Sequence, residues 1–207
     1  MKLISQAAEA KIYLYLENNN KKNKNNTIKK IIKKRINKVY RIPDIDIKLR
    51  KQRTKREVKI LNILKGISPK VISTDNIETI EMEYLKGELL KNILDRNPKL
   101  ALLAGKQAAI MHEKGIIHGD LTTSNMILNK GKLFIIDFGL SSFSKKIEDQ
   151  AVDIHLFKQA LMSKHHKVSE KAFEFFLKGY SHYKNHKNVL QRFKEVEKRG
   201  RYKGKNY

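Results

Sequence analysis

The stretch IIHGDLTTSN, residues 116–125, limits what this chain can fold into more than any other. An apolar Ile-Ile pair runs into His118, Gly119 and Asp120, and an asparagine stands five residues past the aspartate. That spacing holds Asp120 and Asn125 on one tight loop. The flanks of the loop are readable. Residues 98–114 have the marks of a helix: Asn97 as cap, Pro98 in the first position, Gly115 after the end, and one apolar stripe of Leu100, Leu103, Ala104, Ala108 and Met111. After the loop, MIL and LFIID flank the turn NKGK and make a short hairpin that ends in Asp137, Phe138 and Gly139.

Upstream, residues 3–16 read as a strand, a short turn and a second strand. The polar run NNNKKNKNN, 18–26, fits an exposed hairpin connection, and TIKKIIKKRI is a β-branched strand that carries lysines. Residues 44–65 read as a helix capped by Asp44 or Asp46, ended by Gly66 and striped with Leu61 and Leu64. VIST and IETIEMEYL make a hairpin about Asp75-Asn76, with Ile80, Met82 and Tyr84 alternating to one face. Further helices are predicted over 149–163, 169–183 and 187–198, with Phe173, Phe176, Leu177 and Tyr180 at core spacing, before a basic tail, RGRYKGKNY. Strands plus one helix come first and helices follow. The predicted class is α+β in two lobes about a shared cleft: 1–84 small and β-rich, 85–207 helical.

Composition narrows the setting. With 40% hydrophobic residues, the 207-residue chain is expected to fold around a core. It has no cysteine, which excludes disulfides and thiolate metal sites. No apolar run approaches a membrane span and the N-terminus lacks a signal-peptide core, so a soluble cytoplasmic protein without membrane partners is expected. The net charge of +24 attracts polyanions, RNA above all, although lysines spread evenly over the surface would give the same number. The basic stretches 48–56 and 192–205 are the candidate RNA contacts.

Asp120, Asn125 and Asp137, in that order and on those elements, are the parts that phosphoryl transfer from ATP requires. Asp120 would orient the attacking hydroxyl. Asn125 and Asp137 offer the hard oxygen ligands that magnesium takes. A lysine on an upstream strand should reach the α- and β-phosphates, fixed by a helix glutamate, and Glu57 in TKREVKIL fits the latter place. The lysine is either Lys33 or Lys34, which a strand points to opposite faces, and alternation alone leaves the choice open. Each part is weak alone; together and in order they are strong. Met82, Glu83 and Leu85 are placed to meet adenine, through the Met82 side chain and backbone groups of the other two. Glu9 reaches toward Lys33 or the phosphates, or is a solvated turn residue. His165, His166, His182 and His186 lack a carboxylate pattern and read as surface histidines rather than a metal cluster.

With these residues in place, the chain resembles the Bud-thirty-two type of atypical Ser/Thr kinase, the small kinase/ATPase subunit of the KEOPS complex. AAEAKIY resembles the family's first loop, IIKKRINKVYRIPDID its lysine strand, and RTKREVKIL its glutamate helix. HGDLTTSNMIL and IDFGLS resemble its catalytic and metal loops, and EDQAVDIHLF with EVEKRGRYKGK its closing helix and basic tail. The resemblance covers almost the whole chain and decides for Lys33. It implies a protein-kinase-like fold with a reduced helical lobe, and ATP with magnesium as cofactors. It implies the threonylcarbamoyltransferase and other KEOPS subunits, and tRNA, as partners, with no role for DNA. The expected activity is ATP hydrolysis in support of threonylcarbamoyladenosine formation in tRNAs reading codons that start with A, with some Ser/Thr (auto)phosphorylation. Asp153 resembles the residue that braces the catalytic loop.

Two departures matter. The phosphate loop is Gln6-Ala7-Ala8-Glu9-Ala10, without the glycines that let backbone amides approach phosphate. The segment between Gly139 and Asp153 leaves little room for a peptide platform. A free-standing small Ser/Thr kinase and a non-catalytic tRNA-binding scaffold are the rival readings.

Overall fold

The computed structural model describes residues 1–6, 9–18 and 27–202, and divides them into two compact units, Met1–Lys86 and Gly87–Tyr207. The expected connection at 18–26 lies, beyond Asn18, outside the described residues.

The first unit is an antiparallel sheet and one helix. Strands β1 (Lys2–Gln6), β2 (Ala10–Asn18), β3 (Thr27–Arg35), β4 (Val71–Thr74) and β5 (Thr79–Glu83) stand in the order β1-β2-β3-β5-β4. Helix α1 (Pro43–Ile63) connects β3 to β4. The centre of β3 is hydrogen-bonded on both sides, with Lys33 opposite Ile12 of β2 and Ile80 of β5. The β4–β5 hairpin is closed by Asp75, whose Oδ1 accepts the N–H groups of Ile77, Glu78 and Thr79 at 2.8 to 2.9 Å. Asn76 takes the left-handed position there, φ 58°. Ile60, Leu61, Leu64, Ile80 and Met82 are buried and form the unit's apolar core.

Neither Asp44 nor Asp46 caps α1, contrary to expectation. The cap position is Ile42, followed by Pro43 in the first turn. Asp46 is buried instead and takes Arg50 Nε at 2.7 Å and the Lys38 N–H at 3.3 Å, which fastens the segment leading into the helix. Asn97 likewise makes no side-chain cap; a 3-10 turn over Pro98–Leu100 leads into the next long helix.

The second unit begins with β6 (Glu88–Leu89), α2 (Leu90–Ile93) and α3 (Ala101–Glu113). Short β7 (Ile116–Ile117) precedes the HGD loop, and β8 (Met126–Asn129) and β9 (Lys132–Ile135) follow it. Then come β10 (Ser142–Phe143), α4 (Ile147–Lys164), α5 (Ser169–Tyr180) and α6 (His186–Tyr202). The β8–β9 turn has positive φ at Lys130 (49°) and Gly131 (77°), the primed turn that suits the strand twist. β8 pairs with β9 and β6, and β7 pairs with β10. These two-residue strands were not legible in the sequence.

Helices α3 and α5 meet backbone to backbone. A Cβ on Gly105 would stand 2.0 Å from the Phe176 carbonyl oxygen, and one on Gly179 would stand 2.1 Å from that of Leu102. Phe157 stacks on Phe176 at 4.3 Å between ring centres, beside the nearly parallel rings of Phe173 and Tyr180. Gly105→Ala is expected to destabilise the chain by about 3 kcal/mol, because only separation of the helices relieves the clash. Urea unfolding with an unchanged m-value checks this; a midpoint equal to that of the unmutated chain would contradict the packing.

Candidate active site

Asp120, Asn125 and Asp137 belong to the second unit, and there the structure ties their loops together. The side-chain nitrogen of Asn125 donates to Asp120 twice, to the backbone oxygen at 2.9 Å and to Oδ2 at 2.8 Å. Both partners are acceptors, so the amide nitrogen must face Asp120, and Oδ1 of Asn125 is the lone-pair side turned away from it. The Asn125 carbonyl accepts the N–H of Ile136 at 2.9 Å, which brings the residue before Asp137 alongside. The Ile136 carbonyl takes Nε2 of buried His118 at 3.1 Å, while Nδ1 of the same ring accepts the Asp120 N–H at 3.2 Å. Those partners assign the proton to Nε2. One imidazole thereby cross-links the loop of Asp120 to the segment leading into Asp137.

Asp137 has φ 61°, a conformation that costs an L-residue roughly 1 kcal/mol. The other described non-glycine residues with positive φ, Asn76 and Lys130, sit in hairpin turns; Asp137 does not. Phe138 is buried behind it against the His118 ring, 5.1 Å between centres, and Asp137 Oδ1 accepts the Gly139 N–H at 3.3 Å.

A second layer holds the loop from below. Asp153, fully buried on α4, accepts the N–H of His118 at 2.6 Å and of Gly119 at 2.9 Å. Its Oδ2 also faces His112 Nε2 at 3.3 Å, and His112 Nδ1 meets the Tyr180 hydroxyl at 2.7 Å. Burial, with Tyr183 and Asp153 nearby, pushes the Tyr180 phenol far up, so it stays protonated and donates. At Gly119, φ 79° and a Cβ that would stand 2.8 Å from Leu140 O both require glycine. The chemistry of α4 reaches further than expected. His165, read as a surface residue, is buried and bridges Thr123 Oγ1 (3.1 Å) in the catalytic loop to Asp95 Oδ1 (2.8 Å). A helix C-cap position next to an exposed His-Lys pair gave no signal of that burial.

Lys33, Glu57, Glu9, Met82, Glu83 and Leu85 belong to the first unit. Lys33 and Glu57 are buried and joined, Nζ to Oε1, at 2.6 Å. Lys34 points to the other face, half-exposed and 3.3 Å from Glu78. Of the two lysines, Lys33 is the one paired with Glu57. The Glu9 carboxylate is ion-paired with Arg53, with Arg35 at 3.9 Å, and its side chain stays 36% exposed. The Arg53 hydrogen bond holds its carboxyl below the usual range, against the opposing effect of burial. Gln6 ends β1, Ala10 opens β2, and Ala7 and Ala8 lie outside the described residues. Met82 and Leu85 are buried. The Glu83 N–H is donated to the Lys70 carbonyl at 3.0 Å, which removes one of the backbone groups expected to meet adenine.

The basic stretches are partly consumed by ion pairs. Arg50 binds Asp46 and Glu78, Arg192 binds Glu148 and Glu195, and Arg199 binds Glu148. Lys48, Lys51 and Lys55, at helical spacing on α1, are exposed. The side chains of Arg201, Lys203 and Lys205 lie outside the described residues. Among the described residues, no group of three His, Cys, Asp or Glu could enclose a metal, and no helix is long and apolar enough to cross a membrane.

Comparison with known proteins shows the family of the chain. Residues 4–151 match the RIO domain family. A KEOPS complex subunit Bud32 from Pyrococcus abyssi is 45% identical, over 100% of this chain and 99% of its own. This chain belongs to the Bud32 family. A probable serine/threonine-protein kinase BUD32 homolog from Archaeoglobus fulgidus is 36% identical over 83% of the chain and 88% of its own length. A probable bifunctional tRNA threonylcarbamoyladenosine biosynthesis protein from Methanobrevibacter smithii is 43% identical, and the match covers 83% of this chain but only 33% of that protein. The structure of WaaP in complex with acyl carrier protein has a TM-score of 0.61 over 95% of this chain and 88% of its own, at 11% identity, which is a likeness of fold alone. The fold is thus α+β and protein-kinase-like, and the Bud32 family is one of atypical kinases.

Proposed function

We propose that this Bud32-family chain is the ATP-hydrolysing, kinase-like subunit of a KEOPS-type complex that supports threonylcarbamoyladenosine formation in tRNA in the cytoplasm. The orientation of Asn125 carries the chemical part of that reading. Its nitrogen is committed to Asp120, so its oxygen is offered, with the Asp137 carboxylate, to a hard cation. Two protein oxygens suit magnesium, which fills its remaining positions with water and phosphate oxygens. When bound, magnesium supplies the charge neutralisation that the leaving phosphate needs. Asp120 orients the attacking water or Ser/Thr hydroxyl and accepts its proton. Lys33, held by Glu57, takes the α- and β-phosphates, and Met82, Leu85 and the Glu83 carbonyl receive adenine. Gln6, Glu9 and Ala10 stand with the phosphate-binding residues in this reading, as Ala7 and Ala8 do by sequence alone.

Two observations favour hydrolysis over broad protein phosphorylation. β10 ties the segment after Gly139 to β7, and Ser144 Oγ bonds Asp149 at 2.6 Å as α4 begins. Little chain is left there for gripping a free peptide. The net charge and the exposed Lys48, Lys51 and Lys55 support contact with tRNA phosphates.

The test is ATP hydrolysis by the purified chain, alone and with the threonylcarbamoyltransferase subunit and tRNA. The lone chain should phosphorylate unrelated peptides weakly, and hydrolysis should rise several-fold in the assembled complex. Vigorous phosphorylation of such peptides by the lone chain would favour a free kinase. Normal tRNA modification by a complex carrying Asp120→Ala would favour a scaffold.

A further inference from the structure

Glu57 is held by two cations. Lys33 and Arg35 stand two residues apart on β3 and therefore share a face. Both are buried, 5% and 4% exposed, and so is Glu57 at 1%. The carboxylate divides its oxygens between them: Oε1 takes Lys33 at 2.6 Å, and Oε2 takes Arg35 Nη2 at 2.5 Å. The same guanidinium donates from Nε to Thr54 Oγ1 at 3.2 Å. Thr54 lies one turn before Glu57 on the same side of α1. Arg35 is itself fixed by its backbone N–H, which bonds the Glu78 carbonyl at 2.9 Å. A planar fork gripping two successive helix turns is a geometry that lysine cannot reproduce.

We propose that Arg35 is a positioning residue of the ATP site. It occupies the second oxygen of Glu57, so that the first is presented to Lys33, and it locks α1 onto β3. This rests on the reading of Lys33 as the ligand of the ATP phosphates. A lone lysine–glutamate pair lets its helix swing away at the loss of one contact, which is how kinases that need an activating phosphorylation are controlled. Here two ion pairs and a hydroxyl contact hold the helix, so the phosphate-binding lysine is set without a phosphorylated activation loop. Arg35 also changes the local field. Its guanidinium brings a second positive charge to the Glu57 carboxylate. Glu9 extends the lock: its carboxylate joins Arg53 of α1 and lies 3.9 Å from Arg35, and its carbonyl accepts the Ile36 N–H at 3.1 Å. The residue that closes the phosphate loop is thereby anchored to the same helix and strand.

Equilibrium binding of a fluorescent ATP analogue to the full chain, with magnesium present, tests this. Arg35→Met should weaken binding about 30-fold, and Arg35→Lys, which keeps the charge but not the fork, about 10-fold. The loss should appear in the KM for ATP more than in kcat. In a Glu57→Gln background Arg35→Met should add less than a twofold loss, because its route to Lys33 is already broken. If Arg35→Met does not fold, Arg35→Lys alone decides. Unchanged affinity in that variant, or full additivity with Glu57→Gln, would overturn the proposal while leaving the site reading intact. Affinity unaffected by Lys33→Ala would instead overturn the site reading, and the proposal with it.

Discussion

Exchange of Asp137 for asparagine is expected to lower ATP turnover by about three orders of magnitude while the chain stays folded. The substitution keeps size and hydrogen-bonding capacity. Asparagine also tolerates the left-handed conformation that Asp137 adopts at φ 61°, so the backbone has no reason to move. The Gly139 N–H, 3.3 Å from Oδ1, can still be accepted by an amide oxygen. On the proposed reading, what is removed is one negative charge from the pair of residues, Asn125 and Asp137, that would hold magnesium. A hard dication loses more from that change than any neutral ligand would. Steady-state hydrolysis, with circular dichroism to show the fold intact, measures the effect. Turnover equal to that of the unmutated chain would remove Asp137 from the metal site.

Asp153→Asn is expected to destabilise the second unit by about 3–5 kcal/mol and to abolish turnover. Every group facing this buried carboxylate is a donor: the His118 N–H, the Gly119 N–H and His112 Nε2. His112 is set in that role by Tyr180, whose raised phenol donates to Nδ1. An amide cannot satisfy this set. With its NH2 group in place of Oδ1 it meets the Gly119 N–H, and in place of Oδ2 it meets the His118 N–H and His112 Nε2, so a buried group is left unpaired either way. Freed from α4, the loop loses the support under His118, and with it the cross-link from Asp120 to Ile136. Guanidinium unfolding measures the stability and ATP hydrolysis the activity. A variant as stable as the unmutated chain would show that the network carries no energy.

Local chemistry was largely legible in the sequence. The β4–β5 hairpin follows from Asp75-Asn76, and the β8–β9 turn from Lys130-Gly131, because turn geometry depends on the few residues within it. The long helices came out within a few residues of their observed ends, since each carries its own apolar stripe. Two caps were misread for a related reason. Asp46 has the right residue type for a helix start, yet Arg50 and the Lys38 N–H claim its oxygens. The strands β7 and β10 escaped notice because two residues carry no periodicity.

The sequence by itself determined the residue types and the order of the candidate phosphoryl-transfer site: a lysine strand, a glutamate helix, HGDLTTSN and IDFG. Alternation left Lys33 and Lys34 open, because it defines two faces without saying which one packs on α1, and only the family resemblance chose Lys33. Tertiary structure pairs Lys33 with Glu57, and it also decided what residue types leave open. Arg35 shares Glu57, Glu9 turns to Arg53, and His165 is buried between Thr123 and Asp95. Each of those contacts joins residues far apart in the chain. Such partners are selected by which surfaces the fold brings together, and a buried charge takes whichever opposite charge packing places within reach.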